Sequence, residues 1–222
     1  MSPLFLWSLV GLGAGVLALL QVSHARKVKR ERSELFDRVE HLFADAELRQ
    51  DGINYPTLTG NYRGYPIKLE PMVDSLTFRK LPVLWLIVTH HRPLDVAAPL
   101  DVLLRPTGTE FFSPNGDYEH DVLPDEGWPE HVRVATPNPR EAPPISALRP
   151  FLQFIEDPST KEVLITHRGI RLVHRLAESD QVLYRVTRRA DLGSVDLPPE
   201  RLAPVLAALV GIGDALARRH GR

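Results

Sequence analysis

The residues with side chains most able to do chemistry are His90, His91, Asp95, Glu119, His120, Asp121 and His131. Imidazoles and carboxylates ligate zinc and other divalent ions, and three converging ligands plus a water make a hydrolytic centre. The spacing is poor for that purpose. His90 and His91 are adjacent at the end of an extended run, where successive side chains point to opposite faces, so a shared site needs a bulge. No HExxH frame sets two imidazoles on one helical face. The expectation is therefore solvated loop and strand-end residues, with no cofactor and no metal, and a metal-dependent hydrolase is the alternative. Other reactive signatures fail. There is no GxxxxGK[ST], and Gly11-Leu12-Gly13 and Gly211-Ile212-Gly213 fall inside helical patterns, where they read as packing glycines. No GxSxG elbow exists, and Ser113 and Ser146 lack flanking groups that would activate them.

Composition narrows the classes further. Zero cysteine excludes disulfides, thiolate metal sites, iron–sulfur clusters and a cysteine nucleophile. With 27 basic against 28 acidic side chains there is no overall field to recruit nucleic acid. Charge is instead local: Arg168, Arg171, Arg175, Arg185, Arg188 and Arg189 gather late in the chain. Arg171 and Arg175 alternate with Leu172, His174 and Leu176, which puts cations on one sheet face. That face, through Arg171, Arg175, Arg188 and Arg189, is the candidate surface for a protein partner or lipid headgroups; a solvated face compensated by Glu162, Glu178 and Asp180 is the competing reading. Phe111, Phe112, Tyr118 and Trp128 crowd the middle of the chain as a lid over the sheet or as an exposed apolar patch.

The elements that would position these groups form an α+β fold, with antiparallel sheet packed against helices. Leu35, Phe36, Val39, Leu42, Phe43 and Ala46 recur at helical spacing and predict an amphipathic helix over residues 31–48, with Glu34 and Arg38 as an i,i+4 pair. Residues 57–59 and 65–72 read as a hairpin around Asn61 to Gly64. Leu81 to Val88 is apolar on both faces, as a covered central strand would be, with Trp85 in the core. Eleven of the twenty prolines lie between Pro93 and Pro150, which limits that region to short strands, 100–104 and 131–136, and loops. A short helix over 146–156 follows, then a hairpin of 161–166 and 170–177, and a third strand over 181–188. Pro198 and Pro199 open a helix from Glu200 to about Arg219, whose small residues Ala203, Ala207, Gly211 and Ala215 would let it sit close to a sheet. Two similar helix-plus-three-strand halves, 31–92 and 145–222 around the Pro-rich 93–144, are one reading of the echo between Tyr62-Arg63-Gly64 and His167-Arg168-Gly169; chance likeness of two Gly-containing turns is the other.

The clearest biological signal is at the start. Leu4 to Val22 is nearly unbroken apolar sequence without charge, and Arg26, Lys27, Lys29, Arg30 and Arg32 follow at once. About twenty helical residues cross roughly 30 Å of hydrocarbon. Residues 1–25 are read as a transmembrane anchor in the bilayer through 3–22, residues 26–49 as a basic juxtamembrane segment with the amphipathic helix, and 50–222 as the α+β domain. Basic residues flanking a span stay in the cytoplasm, which sets the N-terminus outside and the domain inside. Ser23-His24-Ala25 offers a small-x-small triplet, so a cleaved leader is the competing reading. Gly11 and Gly15 make a GxxxG that would let two spans cross closely as a homodimer.

Over Arg105-Pro106 to Glu110-Phe111-Phe112-Ser113-Pro114, Gly127-Trp128-Pro129, and Lys161-Glu162-Val163-Leu164-Ile165-Thr166 with Arg168-Gly169, the chain resembles uncharacterised single-pass bacterial membrane proteins of no established activity. That resemblance transfers no catalytic residue. The expectation is a single-pass protein of the bacterial inner membrane whose domain is a non-catalytic adaptor or regulatory module; the alternatives are the tethered hydrolase and an extracytoplasmic envelope binding module.

Overall fold

The computed structural model describes residues 3–75, 81–181, 184 and 192–220. Helix α1, Pro3–Ser33, leads into two 3-10 turns, Glu34–Phe36 and Glu40–Leu42. The strands are β1 (Ala44–Arg49), β2 (Thr57–Tyr62), β3 (Tyr65–Asp74), β4 (Val83–His91), β5 (Leu100–Leu104), β6 (His120–Asp121), β7 (Val132–Thr136), β8 (Thr160–Thr166) and β9 (Gly169–Glu178). A 3-10 stretch, Ile145–Phe151, runs into the single-turn helix α2, Leu152–Ile155, and helix α3 covers Pro199–His220. The strands form one antiparallel sheet in the order β1-β2-β3-β4-β9-β8-β5-β7-β6.

Local chemistry accounts for much of this. Arg63 and Gly64 both take positive φ, 52° and 85°, the mirror-image turn that matches strand twist in a two-residue hairpin, and Tyr62 pairs with Tyr65 across it. Along β4, Leu84, Leu86, Val88 and His90 are buried on one face. Leu202, Val205, Leu206, Leu209, Ile212 and Leu216 of α3 belong to the same core, where each fully buried large side chain stabilises by roughly 1.5–3 kcal/mol.

Several expectations are corrected. The helix read over 31–48 stops at Ser33: Leu35, Phe36, Val39 and Phe43 do enter the core, but through 3-10 turns, and Phe43 is already extended. The exposed edge of β2 recruits 44–49 as β1, with Leu48 opposite Leu58, so strand pairing overrides helical spacing. Arg38 pairs with Asp196 at 2.5 Å, and Glu34 is not its partner. The small-residue ladder of α3 does not face the sheet: Ala207 is exposed and Gly211 lies against the Phe151 ring. Trp85 is half-buried on the face away from α3, beside Phe112. Segments 31–92 and 145–222 contribute strands to one continuous sheet, with β4 of one paired directly with β9 of the other. Most of the strand expected over 181–188 lies outside the described residues; at Gln181 and Tyr184 the backbone is helical, and the Tyr184 N–H donates to the Asp180 carbonyl at 3.0 Å.

The apolar run at the start lies within α1. The side chains of residues 3–6 and 8–10 are outside the described set, and among the described residues no helix is long and apolar enough to cross a membrane. Trp7, Leu12, Leu17, Leu19 and Leu20 are each 60 % or more exposed.

Candidate functional site

The histidine and acid candidates are not brought together. His90 and His91 point to opposite faces of β4, the first fully buried and the second exposed. Glu119, His120 and Asp121 are exposed at β6, the far edge of the sheet, where Asp121 pairs with Arg133 at 2.9 Å. His131 is exposed just before β7, and Asp95 is exposed after β4. Five strand positions separate β4 from β6, about 24 Å at the usual inter-strand spacing. Among the described residues no three His, Asp or Glu side chains converge to hold a metal ion.

His90 sits in the α3-side core. Its ring meets Tyr65 edge-on at 5.0 Å, and Gly213 of α3 leaves room for it. Tyr65 in turn donates to Asp214 at 3.2 Å, and Asp214 pairs with Arg92 at 2.6 Å. Neither His90 nitrogen finds a partner, and burial, reinforced by Arg92, lowers its pKa. A neutral imidazole there packs like an apolar ring.

The opposite sheet face holds a second set of charged side chains, one that residue spacing alone does not reveal. A strap, residues 105–118, crosses β9, β8 and β5 and is tied down by buried polar groups. Asp101 of β5 and Glu162 of β8 are both fully buried at diagonal positions of adjacent strands. Burial pushes the Asp101 carboxyl up from 3.8 to about 8, with the Glu162 charge adding to the effect; burial raises Glu162 too, against the pull of Arg171. Ser113 donates to Asp101 at 3.2 Å. Arg171 grips one Glu162 oxygen at 2.7 and 3.1 Å and donates to the Phe112 carbonyl at 3.0 Å. Asn115 is buried against the Asp101 carbonyl, and Arg133 donates to the Asn115 backbone carbonyl. At the strap's other end Lys161 pairs with Glu110 at 2.8 Å, both side chains under 10 % exposed. Burial works to raise Glu110, but the Lys161 ammonium and the Thr107 hydroxyl and N–H outweigh it and hold its pKa at about 2.

Arg171, read as a partner-binding cation, is thus committed to the strap. Arg175 is half-exposed and pairs with Glu178 at 3.2 Å. Arg188 and Arg189 lie outside the described residues. The signal for the acid pair was available: Asp101 and Glu162 are single acids inside otherwise β-forming apolar runs. Alternation assigns such residues to the polar face, and only the strap makes that face a buried one.

The third feature is the root of α1. Arg32 donates to the Ile53 carbonyl at 2.9 Å and lies 4.9 Å over the Tyr55 ring, and Gln50 donates to the Lys29 carbonyl at 3.0 Å. These contacts fasten the basic end of the helix to the body beside an open groove of about 580 Å³. Gly11 and Gly15, further up the helix, face open space.

No family model matches the chain. No curated protein matches it either. Among solved structures, the crystal structure of the mycobacterial trehalose monomycolate transport factor A, TtfA, is similar over 86 % of this chain and 95 % of that one, at 13 % identity and a TM-score of 0.43.

Proposed function

We propose that the chain is a single-pass protein of the bacterial inner membrane, anchored through residues 3–22 with the N-terminus outside, and that its α+β body is a cytoplasmic adaptor that works by capturing a protein partner. The observation that carries this reading is α1. Its apolar side chains from Leu12 to Val22 stand uncovered on all sides, and a helix apolar all round belongs in hydrocarbon or inside a protein. Arg26, Lys27, Lys29, Arg30 and Arg32 follow within two turns, as the flank of a cytoplasmic boundary does. Gly11 and Gly15 would allow two such spans to cross closely and pair. On the body, Phe111 is 53 % exposed on the strap, which supports that side as the partner face together with Arg175.

The test has two parts. A phosphatase or fluorescent reporter fused after Arg222 should report the cytoplasmic side, and deletion of residues 3–22 should move the protein from the membrane pellet to the supernatant. Phosphatase activity from the fusion would reverse the topology and make the body an envelope binding module. Capture from cross-linked cells with Phe111→Ser and Arg175→Glu should reduce recovery of the partner by about tenfold, the loss of roughly 1.4 kcal/mol expected when an anchor residue is removed. Equal recovery with both variants would clear that face.

A further inference from the structure

The groove beside α1 has two unlike walls. One is a single helical face, Gln21, His24, Ala25, Val28 and Glu31, whose spacing of three and four residues turns the side chains the same way. The other includes Ile53, Tyr55 and residues 192–195. Arg32 closes the end nearest the body. Its guanidinium has five N–H donors, is held in place by the Ile53 carbonyl and the Tyr55 ring, and is the side chain best shaped to grip a phosphate.

Charge and depth together identify the occupant. Residues 26–32 hold five cations and one acid. Helical geometry turns Arg26 and Arg30 to the side opposite Val28, so the groove face carries Arg32, held in place, beside Glu31, whose carboxylate pairs with Lys27 at 3.7 Å, while the far side is an open basic collar. The groove starts at Gln21, where the apolar run ends, and side chains on a helix lean toward its N-terminus, which tilts Arg32 toward that end. With residues 3–22 in hydrocarbon, the upper groove coincides with the headgroup layer.

We propose that this groove seats the headgroup of one anionic phospholipid from the leaflet that α1 enters, its phosphate drawn to Arg32 and its apolar parts against Ala25, Val28 and Tyr55. The inference rests on the membrane reading of α1. It differs from general attraction of a basic collar to anionic lipid, which would depend on the number of cations and not on their side of the helix.

The experiment uses the full chain in nanodiscs prepared with and without phosphatidylglycerol, followed by a detergent wash and native mass spectrometry of the lipid that remains bound. Arg32→Ala removes the fixed cation and Val28→Trp fills the groove without altering charge. Each should lower retained phosphatidylglycerol by about tenfold, the effect of losing one charge-assisted contact. Arg30→Ala, with the same charge change on the far side, should leave retention near that of the wild type. Arg30→Ala matching Arg32→Ala, or full retention in Val28→Trp, would overturn the proposal. Displacement of the lipid by excess inorganic phosphate would assign the site to free phosphate instead. Alkaline carbonate extraction separates the two readings: a chain that washes off membranes refutes the anchor, whereas one that stays but shows no variant effect refutes the groove alone.

Discussion

Gly169→Ala is expected to be the most damaging single substitution in the body of the domain. Gly169 begins β9 with φ +139° and pairs with His91 at the sheet's centre, and a Cβ built there lies 2.0 Å from the His90 carbonyl oxygen and 3.0 Å from the Arg92 nitrogen. The obstacle is backbone on the neighbouring strand, so no side-chain rotation relieves it. The strands must part exactly where β4 and β9 join the two ends of the sheet. Strain of this kind costs about 3 kcal/mol or more, a large part of the 5–15 kcal/mol that usually separates folded from unfolded domains. For a domain of this size that is a fall in Tm on the order of 10 °C. Gly127→Ala is the control: Gly127 also has positive φ, 92°, but nothing lies near its missing Cβ. That variant should show only the backbone penalty, about 1 kcal/mol. Thermal unfolding of the detergent-solubilised chain, followed by circular dichroism, reads both, and a Gly169→Ala protein within a few degrees of wild type would show that the strands are not so closely paired.

Asp101 should make the fold progressively less stable as pH rises from about 4 to 8, and Asp101→Asn should remove that contribution. Asp101 is raised to about 8 in the fold, by burial first and then by Glu162, so between its ordinary 3.8 and about 8 the folded chain holds a proton that the unfolded chain releases. Stability from this carboxyl is complete below pH 3.8 and is lost as pH rises through that window, flattening above about 8. The groups facing it are Glu162, Arg171, Ser113, Asn115 and the Tyr118 hydroxyl. Glu162, shifted the same way, adds to the slope. Glu110 acts with the opposite sign in another window: held at about 2, it stabilises above 4.5 and is lost as pH falls toward 2. His174, which burial holds at about 4, makes the fold more stable as pH rises from about 4 to 6.5, and His90, also lowered by burial, adds to that opposing slope, so the Asp101 contribution is read as the difference between wild type and Asp101→Asn. At about 1.4 kcal/mol per pKa unit, half of the Asp101 shift already corresponds to roughly 3 kcal/mol. Asp101→Asn keeps the shape and an acceptor for Ser113 without the charge, so the stability of wild type relative to the variant should fall steadily from pH 5 to 8, leaving the variant the more stable of the two at pH 8. A variant whose profile runs parallel to wild type from pH 5 to 8 would mean that Asp101 does not hold the proton.

Features controlled by a few neighbouring residues are legible in the amino-acid order alone. Arg63-Gly64 makes its hairpin because the backbone angles of that turn are local, Pro198-Pro199 starts α3 because proline suits a first helical turn, and the alternation of Leu84, Leu86 and Val88 already implies one dry face. The uncharged run before Arg26 and the absence of cysteine are equally plain without coordinates. Which distant segments meet is settled by the packing of the whole fold. Periodicity says which face of a strand is apolar but not which strand lies beside it, so nothing in the order of residues put β9 next to β4, turned 44–49 from helix into an edge strand, or kept His90 about 24 Å from His120. For the same reason the acid pair was hidden: Asp101 and Glu162 lie far apart in the chain, each fits the polar face of its own strand, and they are buried beside one another only because the strap closes over them and excludes water.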